Sequence, residues 1–340
     1  MTRPTIRDLA EASGVSVSTV NRVLAGAPGV RDATSKLVKE AAERIGFYGL
    51  GAIRAQIISR RTRYRFGFLL LQPGRTYYKM LAAAITEAAR LTEHVQVEPV
   101  ISFAEDLSPQ YTAARLHELG QTCQAVAIVA AVHPILLTAV ETVQQSGVPV
   151  FAMISQLGPS IGYIGPDNWK AGRTAAWLIA NVNKTPGKVG ILVGNHRFRC
   201  QEMNESGFRS YFREFAPEFT LLEPLSTFET SAVAEEMTEK LLTEHPDLAG
   251  LFVAGGGISG VIQALRSTGH AGRVITVGHQ LMDNTREALL DRTLSLVLHD
   301  HMDRMAADTI AAMIRAQEEG PGVRAQHRVL PFEIFTQENV

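Results

Sequence analysis

Four side chains near the start of the chain have the types and spacing to read DNA. Val17 and Asn21, and likewise Ser18 and Arg22, stand four residues apart, so within a helix over residues 16–24 they project side by side. A guanidinium can fork to the O6 and N7 atoms of guanine, a hydroxyl can bond a base edge, and a valine can pack on a thymine methyl. This face therefore suits the major groove of double-stranded DNA.

The elements that would position this face read as a helix-turn-helix. A first helix starts at Thr5 and stops at Gly14, and a second starts at Ser16 after a tight turn. Ser16 and Thr19 lie where backbone amides and hydroxyls bind phosphates, and Thr5 completes the predicted DNA-binding set. A third apolar stripe over residues 31–45 closes a three-helix core.

Charge is divided unevenly along the 340 residues. Residues 1–65 carry a balance of +7, whereas the remainder carries −8, so a net charge of −1 conceals a basic head on an acidic body. The length predicts two or three domains, and the chain shows no readable secretory signal or membrane span. Cys123 and Cys200 predict neither a disulfide framework nor a zinc cluster. We therefore expect a cytoplasmic protein that does not bind membranes.

The body alternates short apolar runs with helical patterns. Long helices, such as residues 78–93 and 171–182, predict parallel βαβ crossovers, so we expect two α/β lobes with helices on both faces of parallel sheets. The predicted strands cover residues 66–71, 95–101, 125–131, 148–153, 188–193, 249–253, 274–278 and 294–298.

Two motifs in the body could indicate an enzyme instead of a DNA-binding protein. Residues 255–260 satisfy GxGxxG between a strand and a helix, but His279 and Gln280 stand where a dinucleotide site needs an acidic residue for the ribose. His299 and His301 alternate along a strand, yet no cysteine or carboxylate spacing completes a metal site. We expect no catalytic residue, no metal and no cofactor.

Residues 5–24, TIRDLAEASGVSVSTVNRVL, closely resemble the N-terminal signature of the lactose repressor (LacI/GalR) family of bacterial transcription regulators. The resemblance implies a homodimer, DNA reading by Val17, Ser18 and Arg22, and a body built like a sugar-binding periplasmic protein. Members of that family insert a hinge-helix leucine into the minor groove. When this chain is aligned with the family without a gap, Gln56 stands at that position. A shift of the alignment by one residue places Ile57 there. The short hinge is expected to fold on DNA.

The resemblance also implies discontinuous lobes. The expected domains are a helix-turn-helix over residues 1–47, a hinge helix and basic linker over 48–65, a first lobe over 66–163 and 294–320, and a second lobe over 164–293 and 321–340.

Ligands of open α/β sheets bind beyond the carboxyl ends of the strands. We therefore expect the loops that follow the strands, and face the cleft between the lobes, to bind the effector. Because several family positions are altered, we expect a pocket with few carboxylates and many His and Arg side chains, suited to a sugar, a polyol or a sugar acid. The candidate effector-binding residues are Tyr77, Tyr78, His133, Gln156, Asp167, Asn195, Arg199, Asn204, His279 and His299.

These features together predict a DNA-binding transcription regulator, most simply a repressor, whose operator affinity is controlled by a small effector. The alternatives are a nucleotide- or sugar-dependent α/β enzyme and a solute-binding protein.

Overall fold

A computed structural model describes residues 3–27, 29–51, 53, 62–320 and 326–340. The chain divides into two compact units, one of residues up to Tyr64 together with Arg90–Glu98, and one of Arg65–Ala89 and Pro99–Val340. We call the described residues 3–53 the headpiece and those from 62 onward the body, and describe each by itself.

The headpiece contains the three predicted helices, α1 (Ile6–Ser13), α2 (Val17–Leu24) and α3 (Asp32–Ile45). Thr5 and Asp8 form a capping box at the start of α1, and the hydrogen bonds that the Thr5 N–H and hydroxyl donate to the Asp8 carboxylate lower its pKa. Gly14 ends α1 with a φ of 65°, a left-handed conformation that glycine adopts without steric cost. The local sequence thus sets the turn between α1 and α2.

The headpiece core is apolar and closed. Leu9, Val20 and Val38 are fully buried, one from each helix, as the stripes at helical spacing predicted. Residues 50, 51 and 53 are also helical, and Ile53 is buried in the same core. The start of the predicted hinge segment is therefore helical and packs against the headpiece core. Gln56 and Ile57, the two candidates for the minor-groove contact, lie outside the described residues.

The body consists of two sheets with connecting helices. The strands are β1 (Arg63–Leu71), β2 (Gln96–Ala104), β3 (Ala125–Ile128), β4 (Val150–Met153), β5 (Gly162–Pro166), β6 (Lys188–Val193), β7 (Thr220–Leu221), β8 (Leu225–Ser226), β9 (Leu248–Val253), β10 (Ile275–His279), β11 (Leu296–Asp300), β12 (His327–Leu330) and β13 (Phe332–Phe335). The first sheet has the strand order β12-β5-β4-β3-β1-β2 and the second has the order β13-β11-β10-β9-β6-β7, with β8 paired to β6. The helices are α4 (Thr76–Leu91), α5 (Pro109–Thr122), α6 (Pro134–Gln145), α7 (Asn168–Val182), α8 (Arg199–Phe215), α9 (Ser231–Glu244), α10 (Ile258–Ser267), α11 (Asp283–Leu290) and α12 (Met302–Glu319). None of these described helices combines the length and apolar content that crossing a membrane requires.

Helices cover both faces of the second sheet, as the fold class predicted. Ile191 of β6 packs in a cluster with α7 and α8, while its neighbour Leu192 packs in a separate cluster with α9 and α10. Successive strand residues point to opposite faces, so a strand buried on both sides needs a continuous apolar run. The sequence GILV in β6 meets this requirement.

The lobe boundaries differ from the predicted ones. Strand β11 pairs with β10 in the second sheet, so residues 296–300 belong to the second lobe and not to the first. Strand β12 pairs with β5 in the first sheet, so residues 327–330 belong to the first lobe. The chain therefore crosses between the lobes after β5, after β11 and between β12 and β13. The prediction missed this because the lobe of each strand depends on strand pairing, which the sequence pattern does not reveal.

The strands missing from the prediction are short or lie at sheet edges. β5 contains two glycines and ends at Pro166, a composition typical of a turn. β12 and β13 carry polar residues and occupy the outer positions of their sheets, where solvent satisfies one side of the strand. Their strand conformation depends on pairing with distant segments.

Candidate functional site

Helix α2 presents its predicted DNA-reading face to solvent. Val17, Ser18, Asn21 and Arg22 are all exposed, whereas Val20 and Val23 on the opposite side are buried. Val17 is 40% exposed although its side chain is apolar. The buried face fixes the orientation of the helix, and the exposed face is available to a partner.

The hydroxyls assigned to phosphate contacts already have structural partners. Ser16 caps α2 by accepting a hydrogen bond from the Thr19 N–H, and the two hydroxyls lie 2.8 Å apart. The Thr5 hydroxyl donates to the Asp8 carboxylate. These three side chains therefore hold the helix starts in place, whatever further contacts they make.

A cavity of about 570 Å³ lies between the two lobes, at the carboxyl ends of the parallel strands of both sheets. The first lobe supplies Gly74–Tyr78 after β1, Val129 after β3 and Ile154 after β4. The second lobe supplies Asn168, Phe198, Cys200, Gln201, Asn204, Glu229, Ser231, Ala254–Ser259, His279, Gln280, Met282–Asn284 and Asp300.

Four of the candidate effector-binding residues line this cavity: Tyr77, Tyr78, Asn204 and His279. The other six do not. His133 and Asn195 line a separate cavity of about 40 Å³, and Gln156, Asp167, Arg199 and His299 line neither.

The reasons for these misses are local. Asp167 caps α7 by accepting a hydrogen bond from the Lys170 N–H, and its neighbour Asn168 faces the cavity instead. His299 lies behind Gln280, and its Nδ1 accepts hydrogen bonds from the Gln280 side chain and the Leu281 N–H. That nitrogen is thereby engaged by protein donors.

An ion pair joins the lobes across the cavity. Arg75, after β1, places its Nη1 2.6 Å from Oε2 of Glu229, which lies before α9 in the second lobe. A second Arg75 nitrogen donates to the Glu229 carbonyl oxygen. Gln201 donates to the other carboxylate oxygen and accepts from the Gly194 N–H, so the carboxylate is held at both ends. Glu229 and Gln201 carried no sequence signal, because their contacts join segments far apart in the chain.

The glycine motif at residues 255–260 makes room for this network. A Cβ at Gly256 would lie 2.2 Å from the Glu229 carboxylate, and one at Gly255 would lie 2.2 Å from the backbone nitrogen of Gly194. One at Gly260 would lie 1.9 Å from the Ser231 carbonyl oxygen. Close packing of backbones and of the ion pair therefore accounts for these glycines without a bound nucleotide.

Backbone strain is concentrated around the cavity. Ile154, Glu229 and Gln280 have φ values of 66°, 63° and 65°, which side chains other than glycine rarely adopt. Each is held by hydrogen bonds; the Ile154 carbonyl, for example, accepts from the Tyr163 hydroxyl and from the Asn168 amide. Such strain is typical of residues that a fold fixes for binding.

Burial sets the ionisation of the cavity side chains. It lowers the pKa of His279 to about 4, so this imidazole is neutral near pH 7, and it raises the pKa of Asp300 to about 7. Burial likewise raises the pKa of the Cys200 thiol to about 12, so that side chain is an uncharged thiol and no nucleophile.

The expectation of a pocket with few carboxylates was wrong. Glu229, Asp283 and Asp300 all line the cavity. The polar groups without a described partner include Asn204 Oδ1 and His279 Nε2, both buried. Unpaired buried polar atoms are costly unless a ligand or water satisfies them, so the cavity suits a ligand rich in hydrogen-bonding groups.

Comparison with known proteins matches both parts of the chain. Residues 5–49 match the model for bacterial regulatory proteins of the lacI family, and residues 66–320 match that for the periplasmic binding protein domain. A D-ribose/D-allose-binding protein of Pseudomonas aeruginosa is 28% identical over 134 residues, or 38% of this chain and 41% of that protein. Catabolite control protein A of Priestia megaterium is 33% identical over 90 residues, or 26% of each. The alignments thus span less than half the length of these relatives.

Solved structures share the fold of the body. A periplasmic solute binding protein from Actinobacillus succinogenes with bound D-allose has a TM-score of 0.73 at 17% identity, covering 81% of this chain and 98% of that one. The glucose-galactose binding protein GanP from Geobacillus stearothermophilus has a TM-score of 0.74 at 15% identity, covering 82% and 99%. The chain thus has a headpiece of the lacI family of bacterial regulatory proteins, and its body belongs to the periplasmic binding protein domain family.

Proposed function

We propose that this protein is a transcription regulator, acting in the cytoplasm as a homodimer, that reads a pseudo-palindromic operator through paired α2 helices. The observation that carries the proposal is the exposed face of α2 in a lacI-type headpiece on the same chain as a two-lobed body with a cleft cavity. No catalytic step, metal or cofactor is part of this role.

The DNA contacts follow from the side chains on that face. Arg22 pairs with a guanine, Ser18 bonds a base edge, Val17 contacts a thymine methyl, and Asn21 lies beside them. Ser16, Thr19 and Thr5 lie at the helix starts, where they approach the phosphates together with the backbone amides.

The effector is a small polyhydroxy compound bound between the lobes. Tyr77 and Tyr78 reach the cavity from the first lobe, and Asn204 and His279 reach it from the second, so a ligand that contacts both sets favours one lobe arrangement. Operator affinity then depends on the effector through that arrangement.

Binding of genomic fragments by the full-length protein tests this role. We expect selection of a palindromic site, with an affinity that falls as salt rises and that one compound from a panel of sugars and polyols shifts. Mixed-sequence DNA of equal length is the control. Equal affinity for the selected site and the control at every salt concentration would contradict the role.

A solute-binding protein is the second candidate, favoured by the similarity of the body to sugar-binding proteins of transporters. It predicts ligand binding without operator binding, so the same experiment separates the two functions.

A further inference from the structure

The strongest donors in the cavity are already engaged by the protein itself. The Arg75 guanidinium pairs with Glu229. Four of the five side-chain amides that line the cavity also donate to protein acceptors: Asn168 to the Ile154 carbonyl, Gln201 to Glu229, Gln280 to His299, and Asn284 to the Ser259 hydroxyl. An anionic ligand needs several free N–H donors, and these groups are not free to supply them.

Asp300, in contrast, offers an unused acceptor. Its carboxylate lines the cavity at the end of β11 and forms no hydrogen bond or ion pair with any residue that the structure describes. Its backbone is fixed, because the Asp300 N–H donates to the Gln280 side chain and its carbonyl accepts from the same amide. Burial alone accounts for its raised pKa, which agrees with the absence of a neighbouring cation.

A second acceptor in the same cavity independently points to a ligand. Asn204 is only 3% exposed and lines the cavity, and its Oδ1 accepts no hydrogen bond from the described residues. Two unsatisfied acceptors, one of them a carboxylate, call for a ligand that donates hydrogen bonds.

We propose that the effector carries an ammonium group that pairs with Asp300, and is therefore an amino sugar or an amino polyol. This inference rests on the proposed function and narrows the class of its effector. A half-buried carboxylate that pairs with no described residue is best compensated by an ionised donor, whereas a sugar acid would face Glu229, Asp283 and Asp300 with Arg75 already paired. Ring or chain hydroxyls of the same compound can donate to Asn204.

Calorimetric titration of the full-length protein with matched compounds tests the proposal. The probes are D-glucosamine, D-galactosamine, D-mannosamine and D-glucamine, each compared with its neutral parent sugar or polyol and with the corresponding sugar acid. The variants are Asp300→Asn, which keeps the shape of the side chain and removes its charge, and Asp303→Asn, which removes an exposed carboxylate that does not line the cavity and serves as the matched control.

We expect at least one amine to bind about ten- to hundredfold more tightly than its neutral parent. Asp300→Asn should reduce that ratio to about one, and Asp303→Asn should preserve it. Thermal unfolding of each variant confirms that the body is folded.

Three results overturn the proposal: absence of binding by every amine, a neutral parent or sugar acid that binds at least as tightly as its amine in every matched set, or an amine preference that Asp300→Asn retains. Operator binding by the same samples, followed by fluorescence anisotropy, reports separately on the proposed function. If operator binding is retained alongside any of these three results, the proposal of an amine effector is rejected and the proposed role as a transcription regulator stands. Loss of sequence-selective operator binding contradicts the regulator itself.

Discussion

The DNA-reading face of α2 and the cavity between the lobes are built in opposite ways. The face comes from one short segment, in which Val17, Ser18 and Arg22 lie within a single helix of eight residues. The cavity is assembled from at least eight segments, and its central ion pair joins Arg75 to Glu229 across 154 positions of sequence. The face leaves its side chains exposed, whereas the cavity engages most of its polar groups internally.

This difference shows what each site depends on. Local hydrogen bonds and one buried stripe orient α2, so the face depends on the small core of the headpiece. The cavity depends on long-range strand pairing and on backbones that approach closely enough to exclude a Cβ at Gly255 and Gly256. Substitutions in the headpiece core should therefore affect operator binding alone, whereas substitutions in the cavity should affect the body.

Leu9→Ala should destabilise the headpiece by about 2–5 kcal/mol, because the substitution leaves a cavity in a small core where Leu9 is fully buried. Operator binding should be lost while the thermal transition of the body stays unchanged, as measured by anisotropy and calorimetry. Leu37→Ala, at a position 52% exposed, is the control and should have little effect. A shifted body transition in Leu9→Ala would show that the two regions are not independent.

Arg22→Ala should cost about 1–3 kcal/mol of operator affinity per half-site and relax the preference for one base. The headpiece should remain folded, since Arg22 is exposed. Quantitative binding to operators with single base changes measures both effects. Arg213→Ala, which removes an exposed arginine of α8 in the body, is the control. An unchanged base preference would remove Arg22 from the reading face.

Glu229→Gln should cost the body about 1–3 kcal/mol, because it leaves the partly buried Arg75 charge without its carboxylate. Denaturant unfolding gives the free energy, and small-angle scattering reports whether the lobes separate. The matched control is Glu223→Gln, since Glu223 pairs with Arg209 at the surface, where ion pairs contribute little. Equal effects of the two substitutions would show that the pair across the cavity is not special.

Asp300→Asn should change how stability depends on pH. The pKa of Asp300 rises from an ordinary 3.8 to about 7 in the folded protein, so the unfolded chain ionises first. The folded state therefore loses stability as pH rises from about 4 to about 7, and the penalty is complete above that range. The variant lacks this penalty and should be more stabilised at pH 8 than at pH 5, as thermal unfolding will measure. Parallel profiles for both proteins would contradict burial of the charge.

Asp167→Ala should have the smallest effect, about 1 kcal/mol of stability, because Asp167 caps α7 and does not line the cavity. Ligand titration should give unchanged affinity, in contrast to the role that the sequence suggested for this residue. Asp167→Asn keeps a capping side chain and should preserve stability. A large loss of ligand affinity in both variants would restore Asp167 to the binding site.

The headpiece is predictable from local sequence alone. The caps at Thr5 and Ser16, the glycine that ends α1 and the stripes of Leu9 and Val20 are local signals, and local signals fix short helices and their exposed faces. The sequence also determined the α/β class of the body and strands such as β6, because continuous apolar runs between helices are typical of buried parallel sheets.

The set of residues that share the cavity, in contrast, depends on the folded arrangement of distant segments. Glu229, Gln201 and Asp300 follow no motif, and they meet there because strand pairing brings the ends of β6, β8 and β11 to one edge of a sheet. The same pairing placed β11 and β12 in lobes opposite to those expected. A side chain's local sequence sets its conformation, but its partners depend on contacts between distant segments, which the chain forms only when it folds.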